Sequence, residues 1–97
     1  MYLHLTLVKM NPEKVHWACQ AWAGMEHSAI LGLHQALLVE SLDEPGRITW
    51  LSLWDSLGEA RAFLTSQAYA EQIAALQPYL LSGPQWYGYN VLKESKS

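Results

Sequence analysis

The chain has little charge, little cysteine and few basic residues. Only 15% of its 97 residues are charged, and 51% are hydrophobic. A charged fraction so far below the usual level of about a quarter excludes intrinsic disorder. Six Lys and Arg residues, scattered along a chain of net charge −3, form no stripe that could follow a phosphate backbone, which excludes nucleic-acid binding. The single cysteine, Cys19, cannot close an internal disulfide, so a reducing compartment, the cytoplasm, is expected. No apolar run reaches bilayer length and no basic-then-apolar segment opens the chain, so no membrane attachment is expected. Five tryptophans and five tyrosines stand beside one phenylalanine. The length fits one domain, 1–97, with a core over about 2–92 and a polar tail at 93–97. It has more apolar and aromatic surface than one small core hides.

Met1 to Met10 alternates Leu3, Leu5 and Leu7 with Tyr2, His4 and Thr6, which predicts a strand with one aliphatic face and one mixed face. Asn11-Pro12-Glu13 opens a helix over Pro12 to Ala23. Its buried stripe is Val15, Ala18, Cys19 and Trp22, and Gly24 ends it. A second strand spans Ile30 to Glu40, apolar on both sides, with Gly32 marking a bulge. The loop Ser41 to Arg47 leads to a third strand, Ile48 to Trp54, that pairs with the second as a hairpin. Ser56-Leu57-Gly58-Glu59 has capping-box spacing. The helix after it turns Ala60, Phe63 and Leu64 inward, breaks near Thr65-Ser66, and resumes with Ala70, Ile73, Ala74 and Leu76 inward. Ser82-Gly83-Pro84 is a turn before a last strand, Gln85 to Leu92.

The order β-α-β-β-α-β predicts an α+β fold, the ferredoxin-like plait with an antiparallel sheet. Helices cover one sheet face. The bare face is expected to carry Tyr2, Trp50, Trp54 and either Trp86 or Tyr87 with Tyr89, as an interface or a ligand pocket.

The stretch Ile48-Thr49-Trp50-Leu51-Ser52-Leu53-Trp54-Asp55-Ser56, then Glu59-Ala60, then Leu64-Thr65-Ser66-Gln67-Ala68-Tyr69, resembles the antibiotic biosynthesis monooxygenase (ABM) domain family. By element order the resemblance runs from Leu3 to about Leu92; it is specific over Trp50 to Tyr69. It implies a dimeric α+β barrel in which two bare sheet faces close on each other, each subunit keeping a pocket between sheet and helices. The family includes cofactor-independent oxygenases of quinones and quinols, and haem-degrading oxygenases. The haem-degrading branch uses Asn, Trp and His where Thr6, Phe63 and Ile73 stand here, so haem degradation is disfavoured.

Candidate chemistry starts with His34 and His4. A neutral imidazole could take a proton from a phenolic substrate and leave a phenolate that reacts with O₂; the commoner role for each is that of a hydrogen-bonded, partly buried structural histidine. Trp50, Trp54 and Tyr89 are expected to form a cage for a small apolar or aromatic ligand, and Tyr87 or Asn90 to stabilise a developing oxyanion. Ser52 or Asn90 would hydrogen-bond a substrate carbonyl. Core and dimer packing is the competing role for the same aromatics. His16 and His27 lack partners at metal-ligand spacing, and no phosphate, flavin or nicotinamide fingerprint occurs. No metal and no cofactor is assigned. Cys19 reads as a structural thiol. The reading is thus a homodimeric, ABM-like monooxygenase of a small flat aromatic or quinol-type molecule, acting without metal or flavin. The alternatives are a non-catalytic ligand-binding or structural dimer, or an isomerase or decarboxylase on the same scaffold.

Overall fold

The computed structural model describes residues 1–95; Lys96 and Ser97 of the expected polar tail lie outside them. The strands are β1 (Tyr2–Met10), β2 (Leu33–Glu40), β3 (Arg47–Trp54) and β4 (Leu80–Asn90), and the helices are α1 (Val15–Ala23), α2 (Leu57–Leu64) and α3 (Gln67–Leu76). Single 3₁₀ turns lie at Pro12–Lys14, His27–Ala29 and Gln77–Tyr79. The sheet order is β2-β3-β1-β4, antiparallel throughout, which is the α+β ferredoxin-like arrangement.

Local chemistry explains the boundaries. The Asn11 side chain accepts the Glu13 N–H at 3.0 Å, and Pro12 follows at the first helical position. Ser56 caps α2 by accepting the Glu59 N–H at 3.2 Å, and Ser66 caps α3 by accepting the Tyr69 N–H at 3.2 Å. The helical region therefore breaks at Thr65-Ser66, as its cap residues predict. Gly46 ends the β2–β3 loop at φ +91°. A methyl group there would collide with the Met10 carbonyl oxygen, and Met10 in turn donates its N–H to the Gly46 carbonyl at 2.8 Å.

Several expectations are corrected. β2 starts at Leu33, not Ile30, because Gly32 takes φ +82° in a turn; the irregularity in the ladder falls just after it, between Leu33 and Gln35. Ser82-Gly83-Pro84 lies within β4, where the ladder to β1 shifts between Leu7 and Met10 and the Gly83–Pro84 peptide is cis. β4 ends at Asn90, so Val91 and Leu92 follow it. Cys19 is exposed, since α1 turns Ala18 inward and leaves Cys19 on its flank. On α3 the inward residues are Tyr69, Gln72, Ile73 and Leu76, while Ala70 and Ala74 are exposed.

The largest correction concerns the two sheet faces. Trp50, buried, and Trp54, at 0% exposure, lie under the helices. Tyr2, His4, Thr6, Ser52 and Trp86 share their face through the pairs Tyr2↔Trp54, His4↔Ser52, Thr6↔Trp50 and Thr6↔Trp86. The bare face carries Leu3, Leu5 and Leu7 of β1, paired with Leu53, Leu51 and Thr49 of β3 and with Tyr89, Tyr87 and Gln85 of β4. Leu37 and Val39 extend it at edge strand β2. The reason is volume: α1 and α2 present small buried residues, Ala18 and Ala60, so large strand side chains must fill the gap. Two packing centres result. One is aliphatic, with Met10, Ala18 and Ile48. The other is aromatic, with Trp50, Trp54, Phe63 and Tyr69 at centroid spacings of 5.5–6.0 Å.

Candidate functional site

The mixed face of β1 supplies the buried polar groups. His4 is 5% exposed. Its Nδ1 lies 3.4 Å from the Tyr2 hydroxyl, and its Nε2 is buried without a partner. Burial pushes its pKa below the usual 6.5, so the ring is neutral at physiological pH. Ser52 accepts the Trp54 indole N–H at 2.9 Å and donates to the His4 carbonyl oxygen at 3.5 Å. Its hydroxyl is thus engaged by its own neighbours. Tyr69 Oη accepts the Trp86 indole N–H at 2.9 Å and pairs with Thr6 Oγ1 at 3.1 Å.

The helical layer leaves an opening between the loop after α1 and the helices α2 and α3. This vestibule has a volume of about 310 Å³ and is bordered by Met25, Ile30, Phe63, Ala68 and Gln72, with Glu26 and Glu71 at its sides. Gln72 also borders an inner cavity of about 30 Å³ against the sheet, lined by Thr6, Trp22, Trp50 and aliphatic side chains. Phe63, on the vestibule, stands edge-on to Trp50, on the cavity, at 6.0 Å and 81°. The indole Nε1 atoms of Trp22 and Trp50 are both buried without a partner. The vestibule is walled mainly by apolar atoms and the inner cavity almost wholly so, the usual character of a small-molecule site.

The expected site residues fall in several places. Trp50 lines the inner cavity, and Trp54 lies behind it against Phe63 at 5.6 Å. Tyr87 and Tyr89 are on the bare face, half exposed, so no single cage contains Trp50, Trp54 and Tyr89. The alternation of β4 separates them by a sheet thickness. Asn90 is exposed at the end of β4, opposite Tyr2, and shares no face with Tyr87.

His34 lies on edge strand β2, with Nδ1 3.8 Å from an oxygen of Asp55. It borders a separate cleft of about 230 Å³ with Trp22, His27 and Gln35. In that cleft the His27 ring is 4.2 Å from the Trp22 ring and its Nε2 is buried without a partner. Burial lowers its pKa, opposed by its hydrogen bond to the Met25 backbone. His4 and His34 are therefore not brought together, and neither borders the vestibule or the inner cavity. Among the described residues, no three His, Cys, Asp or Glu side chains converge as a metal site, and no helix is long and apolar enough to cross a membrane.

Sequence reasoning did not assign Met25, Trp22, Phe63, Tyr69 and Gln72 to the site. The spacing of Tyr69, Gln72, Ile73 and Leu76 at i, i+3, i+4 and i+7 after the Ser66 cap carried that signal for α3.

No family model matches this chain, and no curated protein sequence matches it. Solved structures do match over nearly its whole length. Two carry the name putative antibiotic biosynthesis monooxygenase. The one from Deinococcus radiodurans has a TM-score of 0.84 and 18% identity, covering 100% of this chain and 98% of that one. The one from Caulobacter crescentus has a TM-score of 0.84 and 17% identity, covering 95% and 90%. A conserved protein from Methanosarcina mazei matches with a TM-score of 0.81 and 19% identity, covering 91% and 89%. The chain therefore has the fold of the structures named as antibiotic biosynthesis monooxygenases, with few of their residues in common.

Proposed function

We propose that this chain is an ABM-like monooxygenase of the cytoplasm, a homodimer joined through its bare sheet faces, that takes a small flat aromatic or quinol-type molecule into the cleft between the α1 exit loop and α3. His4 is the base. Because it borders neither the vestibule nor the inner cavity, the aromatic side chains between them must part before its Nε2 can accept the phenolic proton. The resulting phenolate is electron-rich enough to react with O₂ without a resident metal or flavin. The observation that carries this reading is His4 itself: a buried imidazole, neutral at working pH, with an unpartnered Nε2 beside an aromatic cluster. The fold shared with structures named as antibiotic biosynthesis monooxygenases supports the reaction class. The aliphatic bare face, with Leu37, Val39, Tyr87 and Tyr89 each 43–50% exposed, supports the dimer.

The test is O₂ uptake by the purified protein with quinol-type substrates. His4→Ala is expected to lower the rate by a factor of about 100 or more and His34→Ala to leave it within a factor of about two. An unchanged rate in His4→Ala would remove it as the base.

A second reading, a non-catalytic ligand-binding or structural dimer, is favoured by one observation: neither histidine borders the cleft. Saturable binding without O₂ uptake, or product formed equally under argon, would place the protein outside oxygenation.

A further inference from the structure

We infer that Tyr2 is a positioning residue: its hydroxyl oxygen accepts the Nδ1–H of His4 and so fixes the tautomer that leaves Nε2 free to take a proton. The inference rests on the reading of His4 as the base and adds what prepares that base. Tyr2 and His4 stand next to each other on the covered face of β1, with ring centroids 6.1 Å apart and Tyr2 Oη 3.4 Å from Nδ1. Gly88 is the β4 residue opposite His4, so a side chain there would project from the same face. A methyl group at that position would collide with the Tyr2 ring and hydroxyl. The glycines at positive φ are Gly32, Gly46 and Gly83. Gly88 is not one of them, so it serves for space rather than for backbone conformation. The phenol occupies the room that a side chain at 88 would take, and this holds its oxygen beside the imidazole.

A neutral imidazole carries one proton, on one nitrogen or the other. With the proton on Nε2, the Tyr2 hydroxyl donates to Nδ1 and the ring buries an N–H that has no acceptor, since Nε2 lacks a partner among the described residues. With the proton on Nδ1, that N–H pairs with Tyr2 Oη, and only a lone pair at Nε2 goes unmatched. The phenol is half-buried, so its own O–H can turn to water. Buried N–H groups are left unpaired more rarely than acceptors, which favours the second form. A general base requires the same form, because a protonated Nε2 has no lone pair with which to accept.

The experiment reads the ring nitrogens directly. Nitrogen NMR of protein with isotope-labelled histidine, at about pH 8 where the imidazole is neutral, separates the N–H nitrogen from the bare one. The His4 signals are those lost in His4→Gln. The wild-type spectrum is expected to place the proton on Nδ1. Tyr2→Phe keeps the ring and removes the oxygen. It is expected to move the tautomer ratio towards Nε2–H by about fivefold, the worth of one neutral hydrogen bond, and to lower O₂ uptake by a similar factor. Gly88→Ala is expected to do the same by displacing the phenol; should it fail to fold, Tyr2→Phe carries the test alone. A wild-type proton on Nε2, or a ratio unchanged in Tyr2→Phe, overturns the positioning role. A His4→Ala rate equal to wild type removes the base reading but leaves the tautomer, which the spectrum decides by itself.

Discussion

Trp86 donates its indole N–H to the Tyr69 hydroxyl at 2.9 Å. The same hydroxyl pairs with Thr6 at 3.1 Å, so one phenol joins edge strand β4 and central strand β1 to α3. Tyr69→Phe leaves the buried Thr6 hydroxyl without that partner, whereas the half-exposed Trp86 can turn to water. The expected loss is about 1–3 kcal/mol, read as a lower urea midpoint at unchanged slope. A midpoint equal to wild type would show that the link carries no stability.

The bare sheet face leads to a prediction about mass. Leu5, between Leu51 and Tyr87, is central to that face. Wild type is expected to sediment at twice the 11.0 kDa monomer mass and Leu5→Arg at the monomer mass, since a buried unpaired guanidinium opposes association. Wild-type protein sedimenting as a monomer at micromolar concentration contradicts the proposal.

Buried His4 sets a direction for pH dependence. Its folded pKa is lowered by desolvation, so the unfolded chain binds the proton more readily. The stability associated with the neutral ring is complete above the ordinary value of 6.5 and falls as the pH drops from there towards the lowered folded value. His27 acts in the same direction, because burial outweighs its Met25 backbone bond. Urea midpoints measured from about pH 8 down to about pH 5 should decline, and His4→Gln should flatten part of the decline. A rise on acidification would refute the assignment.

Gly46 is the position least able to accept a side chain. At φ +91°, with the Met10 carbonyl where a methyl group would go, Gly46→Ala should destabilise by about 1–3 kcal/mol and lower Tm by several degrees. Calorimetry that finds Tm unchanged would mean that the loop rearranges freely.

Element order and helix starts were readable in the chain because they depend on neighbours in sequence: the alternation of Leu3, Leu5 and Leu7, the Ser56 to Glu59 spacing, and the second cap at Ser66. Which face of the sheet lies under the helices was not, because it depends on the volume that Ala18 and Ala60 leave to be filled. Polar-tipped Trp50 and Trp54 resemble interface residues by type, yet that gap draws them inside and leaves the leucines uncovered. The cleft was harder still to read. Met25, Phe63 and Gln72 come from three separate segments, and none of them is distinctive by type. His4 and His34, by contrast, are conspicuous by type, yet β1 and β2 hold them apart at the centre and the edge of the sheet.

The alternation along β1 also constrains how this protein can diverge. His4 and Thr6 point to one side of the strand, and Leu3, Leu5 and Leu7 to the other. One inserted or deleted residue near its start would exchange the two sets, placing leucines under the helices and an imidazole on the bare face. Variation in β1 is therefore confined to point substitutions or paired insertions. The covered face and the bare face can drift independently in chemistry, but they remain locked to a common strand length.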